Sequence, residues 1–212
     1  VDQLSSQVED NTIFCLLGHN GAGKTTSMSI MTGGLLPDSG WATIAGQDVV
    51  RDKAKIRKSL GVCPQFDVLY SELSCWEHML LYGGMQAMEH QQCEEEARRL
   101  LSCLSLSSKA HQRAGYLSGG QQRRLSLAVA LIGDPKIVLL DEPTTGLDPD
   151  NRRKVWKLLQ AQKQKSTIIL TTHSMEEADL LADTIGVMSK GKMQVQGTSL
   201  ELKQAFGTGY IL

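Results

Sequence analysis

The run Gly18-His19-Asn20-Gly21-Ala22-Gly23-Lys24-Thr25-Thr26 follows the apolar segment Thr12-Ile13-Phe14-Cys15-Leu16-Leu17 and satisfies the pattern G-x-x-x-x-G-K-[ST]. A buried strand feeding such a loop lets backbone N–H groups point at phosphate oxygens with no Cβ in the way. The helix that follows aims the positive end of its dipole at the same oxygens. In this pattern Lys24 reaches the β- and γ-phosphates, and the Thr25 hydroxyl is a ligand for Mg²⁺. The chemistry expected is binding of a nucleoside triphosphate.

Other residues could act on that ligand. Ile137-Val138-Leu139-Leu140-Asp141-Glu142 is an apolar strand ending in two acids. The carboxyl end of a parallel strand faces the crevice where ligands bind, which places Asp141 to hold Mg²⁺, directly or through water, and Glu142 to orient and deprotonate an attacking water. The alternative is a solvated pair capping a helix, but Pro143-Thr144-Thr145-Gly146-Leu147-Asp148-Pro149 reads as a turn. His173, in Leu170-Thr171-Thr172-His173-Ser174, leaves on the same edge if the sheet is parallel, within reach of the γ-phosphate; a lone histidine there is also a common surface residue. Gln65, after Val62-Cys63-Pro64, carries little by itself. Finally, Leu117-Ser118-Gly119-Gly120-Gln121-Gln122-Arg123-Arg124 reads as a turn feeding an amphipathic helix, a second phosphate site. One triphosphate needs only one such site, so this turn is expected to cap the γ-phosphate held by a partner copy. Read locally, Ser118 is an ordinary N-cap.

The elements that must position these residues follow from pattern. Trp41–Ala45, behind the turn signal Pro37-Asp38-Ser39-Gly40, and Ser59–Cys63 read as strands. From Ser74 to Leu106 apolar residues such as Met79, Leu80, Leu100, Leu101 and Leu104 recur at helical spacing, with the polar patch Met88–Cys93 as a helix-helix connection. Lys136–Leu140, Thr167–Leu170 and Thr184–Met188 are short apolar, mostly β-branched runs, as in a largely parallel sheet buried on both faces.

At 212 residues and net charge −1 the chain suits one compact unit and lacks the basic footprint of a nucleic-acid binder. No run approaches the ~18 apolar residues of a membrane span, and Val1-Asp2-Gln3 does not open a signal peptide. Five cysteines, odd in number and without a C-x-x-C pair, read as reduced structural thiols.

Taken together, GHNGAGKTT, Pro64-Gln65, LSGGQQRR, IVLLDEP, GLDP and the TTH ending at His173 resemble, in order and spacing, the nucleotide-binding domain of an ATP-binding-cassette (ABC) transporter, over nearly the whole chain. By position, the resemblance makes Gly18–Thr26 the Walker A loop and Leu117–Gln121 the signature motif. Asp141 becomes the Walker B aspartate, Glu142 the catalytic glutamate, Asp148 the D-loop residue and His173 the switch histidine. Gln65 becomes the Q-loop residue, a catalytic residue and, with Thr25 and Asp141, part of the metal site. IRKSLGVCPQFDVL, THSMEEADLL and the tail LKQAFGTGYIL are similar to the A subfamily of lipid exporters, the tail to its first cassette.

The resemblance implies an α/β fold: a P-loop NTPase (RecA-like) core with an antiparallel β portion on the N-terminal side. Residues 66–131 would form a helical insertion carrying the signature, inside a single ATPase domain spanning 1–212. It implies ATP and Mg²⁺ as cofactors, a second cassette and transmembrane domains as partners, no nucleic acid, and a place on the cytoplasmic face of a membrane. One departure is that no Phe, Tyr or Trp precedes Phe14, where the family carries an adenine-stacking aromatic, so the chain reads as a piece of a longer protein or a separate subunit. A soluble ABC-type ATPase acting on a nucleic acid or ribosomal partner is the alternative. About ninety residues without sustained heptads separate Lys24 from Ser118, too few for the long coiled coil of the DNA-repair type, and a translation-type protein would carry two cassettes and a basic surface.

Overall fold

The computed structural model describes residues 1–206; the end of the tail compared above, residues 207–212, lies outside them. In chain order the elements are β1 (Ile13–Leu17), α1 (Lys24–Met31), β2 (Thr43–Ile44), β3 (Gln47–Asp48), α2 (Lys53–Arg57), β4 (Leu60–Cys63), α3 (Cys75–Met85), α4 (His90–Cys103) and α5 (Gly119–Leu131). Then come β5 (Ile137–Asp141), α6 (Pro149–Gln162), β6 (Thr167–Thr172), α7 (Met175–Leu181), β7 (Thr184–Ser189), β8 (Lys192–Gly197) and α8 (Ser199–Phe206). Six strands form one sheet in the order β4-β5-β6-β1-β7-β8, parallel throughout except for the antiparallel edge strand β8. The α/β expectation holds.

Why these strands are apolar at successive positions is visible in what each face meets. Ile13, Cys15, Val138, Leu140, Ile168 and Leu170 enter one core, shared with α3 to α7. Phe14, Leu16, Leu139 and Ile169 enter a second core on the opposite face, with Met28 of α1 and Ile56 of α2. Side chains alternate across a strand, so a sheet covered on both faces needs apolar residues at both parities.

Several expectations need correction. The antiparallel portion on the N-terminal side is present as the hairpin β2–β3, two residues per strand, but the expected strand over Trp41–Ala45 keeps only Thr43 and Ile44; Trp41 is 82% exposed. Ala45 and Gly46 both take positive φ, so the chain turns back there. The helix-helix connection is Gln86–Glu89, because residues 90–93 already belong to α4. Helix α5 is not amphipathic: Arg123, Arg124, Leu125, Ser126, Leu127, Ala128, Ala130 and Leu131 are all buried, for it lies between the sheet and α3–α4. Strand β8 was not expected, although Lys192-Met193-Gln194-Val195-Gln196 alternates and the Lys190-Gly191 turn, positive φ at both residues, is the hairpin type that matches strand twist.

All five cysteines are free thiols, and all but Cys103 are buried. Burial pushes the Cys63 thiol up to about 11, with Arg123 opposing, and raises Cys15 further still.

Two glycines set how closely helices approach. A Cβ on Gly61 of β4 would lie 2.0 Å from the carbonyl oxygen of Ala130, and one on Gly83 would lie 2.2 Å from Cys93 Sγ. The first obstacle is backbone, which cannot turn aside. Gly61→Ala is therefore expected to lower unfolding free energy by at least ~1–3 kcal/mol, the usual overpacking range, as read by denaturant titration. Parent-like stability would mean that α5 is free to shift away from β4.

Candidate functional site

The phosphate loop leaves β1 and enters α1 through Gly21 and Gly23, whose φ values of 78° and 105° favour glycine. A Cβ on Gly18 would stand 2.5 Å from the Met188 carbonyl oxygen, so the loop lies tight against β7. Gly23 is the N-cap of α1 and supplies no side-chain cap, which leaves the helix's first amides to an external acceptor. Inside the loop Lys24 is 5% exposed; its ammonium donates to the carbonyl oxygens of Gly18 (2.7 Å) and His19 (3.2 Å) and lies 3.7 Å from Glu142 Oε1. His19 and Asn20 are exposed, Ala22 is fully buried, and the Thr25 and Thr26 side chains are exposed at the start of α1. His19 meets the end of β7, its Nε2 3.4 Å from Ser189 Oγ.

Parallel pairing places the acids beside this loop. Asp141 is level with Thr171 of β6, and Leu17 of β1 is level with Thr172, so three neighbouring strands end together. The buried Asp141 carboxylate accepts a hydrogen bond from the Thr171 hydroxyl. At Glu142 the chain leaves the strand with φ 49°, a left-handed conformation uncommon for a residue with a Cβ. Its amide donates to the Thr171 carbonyl (3.1 Å) and lies 3.0 Å from the Thr171 hydroxyl. Its carboxylate accepts from Thr145 Oγ1 (3.1 Å) and lies 3.4 Å from His173 Nδ1, while His173 itself stays 54% exposed. Lys24, Glu142 and His173 thus form one contiguous cluster of polar side chains.

The remaining expected residues fall elsewhere. Gln65 is exposed just beyond β4, the strand next to β5. Ser118 caps α5 in a reciprocal capping box with Gln121, whose amide donates to Ser118 Oγ and whose side-chain oxygen accepts from the Ser118 amide. Asp148 caps α6 and accepts from the Asn151 backbone and side chain, which hold its carboxyl below the usual range, the backbone bond contributing most. A Cβ on Gly120 would sit 3.5 Å from Leu147, so the Ser118 turn and the Asp148 loop adjoin. Among the described residues no hydrogen bond or ion pair joins this second group to the phosphate loop. Phe14 is 3% exposed in the core and presents no face to a base.

Residues that sequence patterns missed complete the arrangement. Thr171 and Thr145 hold the two acids. Buried Glu177 accepts from Thr144 Oγ1 (2.7 Å) and Trp156 Nε1 (2.9 Å), tying the loop after Glu142 to α6 and α7. Buried Arg123 reaches both Asp67 and the backbone of Asp141 and Glu142. A buried arginine in a helix has no signature that separates it from a solvated one, and only the packing reveals it.

The residues here that could hold a divalent cation offer hard oxygens: the exposed Thr25 hydroxyl and the buried Asp141 carboxylate. Among the described residues no three His, Cys, Asp or Glu side chains gather into a metal cage. A cation bound by one carboxylate, one hydroxyl, substrate phosphates and water is the pattern of Mg²⁺, and the donor set fits it.

A sequence profile for the ABC transporter family matches residues 1–145. The chain is 49% identical over 210 residues to the phospholipid-transporting ATPase ABCA3 of Mus musculus, covering 99% of the chain and 12% of that protein. It is 49% identical over 214 residues to ABC transporter A family member 11 of Arabidopsis thaliana, covering all of the chain and 22% of that protein. The chain therefore spans a small fraction of the relatives it matches. Among solved structures, the dimeric post-hydrolysis form of the ATP-binding cassette MJ0796 with ADP and Pi superposes with a TM-score of 0.83 at 25% identity, covering 91% of this chain and 88% of that one.

If Lys24 holds phosphate, Lys24→Met, which keeps the aliphatic stem, should weaken a fluorescent ATP analogue at least ~10-fold, about 1.4 kcal/mol. Undiminished affinity in equilibrium titration would remove Lys24 from the site.

Proposed function

The chain belongs to the ABC transporter family, and we propose that it is an ATP-hydrolysing cassette working in a head-to-tail pair to drive lipid transport. One observation carries the proposal: the loop around Lys24 and the turn Ser118-Gly119-Gly120 lead into the N-termini of two different helices, α1 and α5, with no hydrogen bond or ion pair between them among the described residues. Gly119 has no local reason to be glycine, since a Cβ there would meet nothing within 4 Å and its φ is not left-handed. Its missing side chain is explained by a ligand brought by another chain, and a dimeric relative of the same fold supports such pairing.

In this reading ATP lies with its phosphates on the amides of residues 21–26 and on Lys24. Thr25 and Asp141, with Gln65 near by, would hold Mg²⁺, which supplies charge neutralisation on the phosphates when bound. Glu142 accepts the proton of a water that attacks the γ-phosphorus in line with the departing ADP oxygen. Thr145 and the left-handed backbone aim its carboxylate. His173 and Lys24 flank that carboxylate and hold the γ-phosphate as charge shifts onto the leaving oxygen. The partner's Ser118 turn closes the site, and phosphate release reopens it.

No helix among the described residues is long and apolar enough to cross a membrane. Membrane coupling would run through residues 66–131, read as one helical unit: Phe66, Val68 and Tyr70 are exposed apolar side chains close behind Gln65 in sequence, and Leu81 and Met85 are exposed on α3. They suit contact with the cytoplasmic ends of membrane helices. The phospholipid-transporting relative supports lipid as the cargo.

Glu142→Gln keeps shape but not basicity, so turnover should fall on the order of 10²- to 10⁴-fold with ATP still bound; parent-rate hydrolysis would place the base elsewhere. Gly119→Asp adds an acid to the first turn of α5, which the helix dipole favours, yet repels a partner's phosphate. Thermal stability should hold while ATP-driven pairing and hydrolysis drop at least ~10-fold. Full hydrolysis by this variant would contradict the shared site.

A further inference from the structure

Arg123 sits two residues beyond the Ser118-Gly119-Gly120-Gln121 turn, on the same helix, and is 5% exposed. One terminal nitrogen of its guanidinium, Nη1, donates to the Pro64 carbonyl oxygen (2.6 Å) and to Asp67 Oδ1 (3.1 Å). The other, Nη2, donates to the carbonyl oxygens of Asp141 (2.5 Å) and Glu142 (3.0 Å). Pro64 and Asp67 flank Gln65 on one side of the fork. On the other side lie the two peptide units that carry the acids, including the left-handed turn at Glu142.

This is more than a helix anchor. The neighbouring buried arginine, Arg124, serves as one: it donates to the carbonyl oxygens of Leu104, Ser105 and Gly120 and touches none of the expected site residues apart from Gly120. Arg123 instead spends its donors on the loop around Gln65 and on the backbone of Asp141 and Glu142. A planar guanidinium fixes the spacing and angle between two such segments, whereas an ammonium is a point charge that cannot span both.

We propose that Arg123 is a positioning residue for hydrolysis, coupling the turn offered to a partner's phosphate with the acids of the chain's own site. The inference rests on the two-chain reading above. Seating of a phosphate on residues 118–120 bears on α5 and, less than one helical turn further on, on the backbone that aims Glu142. Each ATP site would then sense occupancy of the other through one rigid helix.

The test is steady-state ATP hydrolysis by the intact protein, with nucleotide affinity measured separately by a fluorescent ATP analogue. Arg123→Lys keeps the charge and most of the stem but loses the fork, and Asp67→Asn removes the charge of one partner of the guanidinium, weakening that contact while leaving the acids in place. The expected result for Arg123→Lys is a kcat reduced at least ~10-fold, KM and nucleotide affinity within about 3-fold of the parent, and a Hill coefficient for ATP falling towards 1. Asp67→Asn should give a smaller loss of the same kind, and the double variant should be no worse than Arg123→Lys alone, because both act through one connection. A folded Arg123→Lys protein with parent kcat and Hill coefficient overturns the proposal. So does a variant whose kcat and affinity fall together in step with its melting temperature, which marks a merely structural role. Ser118→Arg, run in parallel, separates the premises: hydrolysis undiminished in that variant sinks the shared site itself, whereas its loss beside a silent Arg123→Lys sinks only the coupling.

Discussion

Parallel pairing of β5, β6 and β1 in one register is the constraint on which the rest of the structure depends. Asp141 opposite Thr171, and Leu17 opposite Thr172, mean that three chains leave the sheet at the same height. A parallel sheet requires crossover connections, and those connections leave the carboxyl ends free of hairpins. The loop with Lys24, the turn with Glu142 and the exit to His173 therefore meet without any contact between them in sequence. A slip of one residue in β5 would turn Asp141 from one face of the sheet to the other.

The second organising feature is the helix α5, whose N-terminus is exposed and whose body is buried. Gly61 allows it to lie close against β4, and Arg124 ties its first turn to the end of α4. Burial on nearly every side makes it rigid, and a rigid helix is the kind of element that can carry a displacement from one end to a point further along. Its two buried arginines are bonded to protein oxygens, the guanidinium of Arg123 through four hydrogen bonds, whereas the buried Ser126 hydroxyl has no partner. Breaking such a buried network is costly because each donor then lacks both protein and water.

Much of this was legible in the sequence, for identifiable reasons. The phosphate loop, Leu139-Leu140-Asp141-Glu142 and the segment ending at His173 combine a short apolar run with polar residues at its end, and the largely parallel sense of the sheet follows from strands alternating with helices, though the order of its strands does not. What was not legible depends on neighbours distant in the chain. The left-handed φ at Glu142 is enforced by Thr171, twenty-nine residues on, and no local propensity encodes it. Arg123 and Arg124 read as the polar face of an amphipathic helix, because pattern alone cannot tell a buried, fully bonded guanidinium from a solvated one. Strand β8 is a different case: Lys192–Gln196 alternates between exposed and half-buried residues, and an antiparallel edge strand lacks the continuous apolar run that marks the buried parallel strands.

In the proposed pair, the loop around Lys24 and the turn at Ser118 contact the same γ-phosphate, one from each chain. Vanadate trapped with Mg-ADP mimics that phosphate, and irradiation cleaves the backbone next to it. Mapping the fragments tests the claim in one measurement. Two sets of cuts are expected, within residues 18–26 and within residues 118–121; cuts in the phosphate loop alone would rule out the shared site.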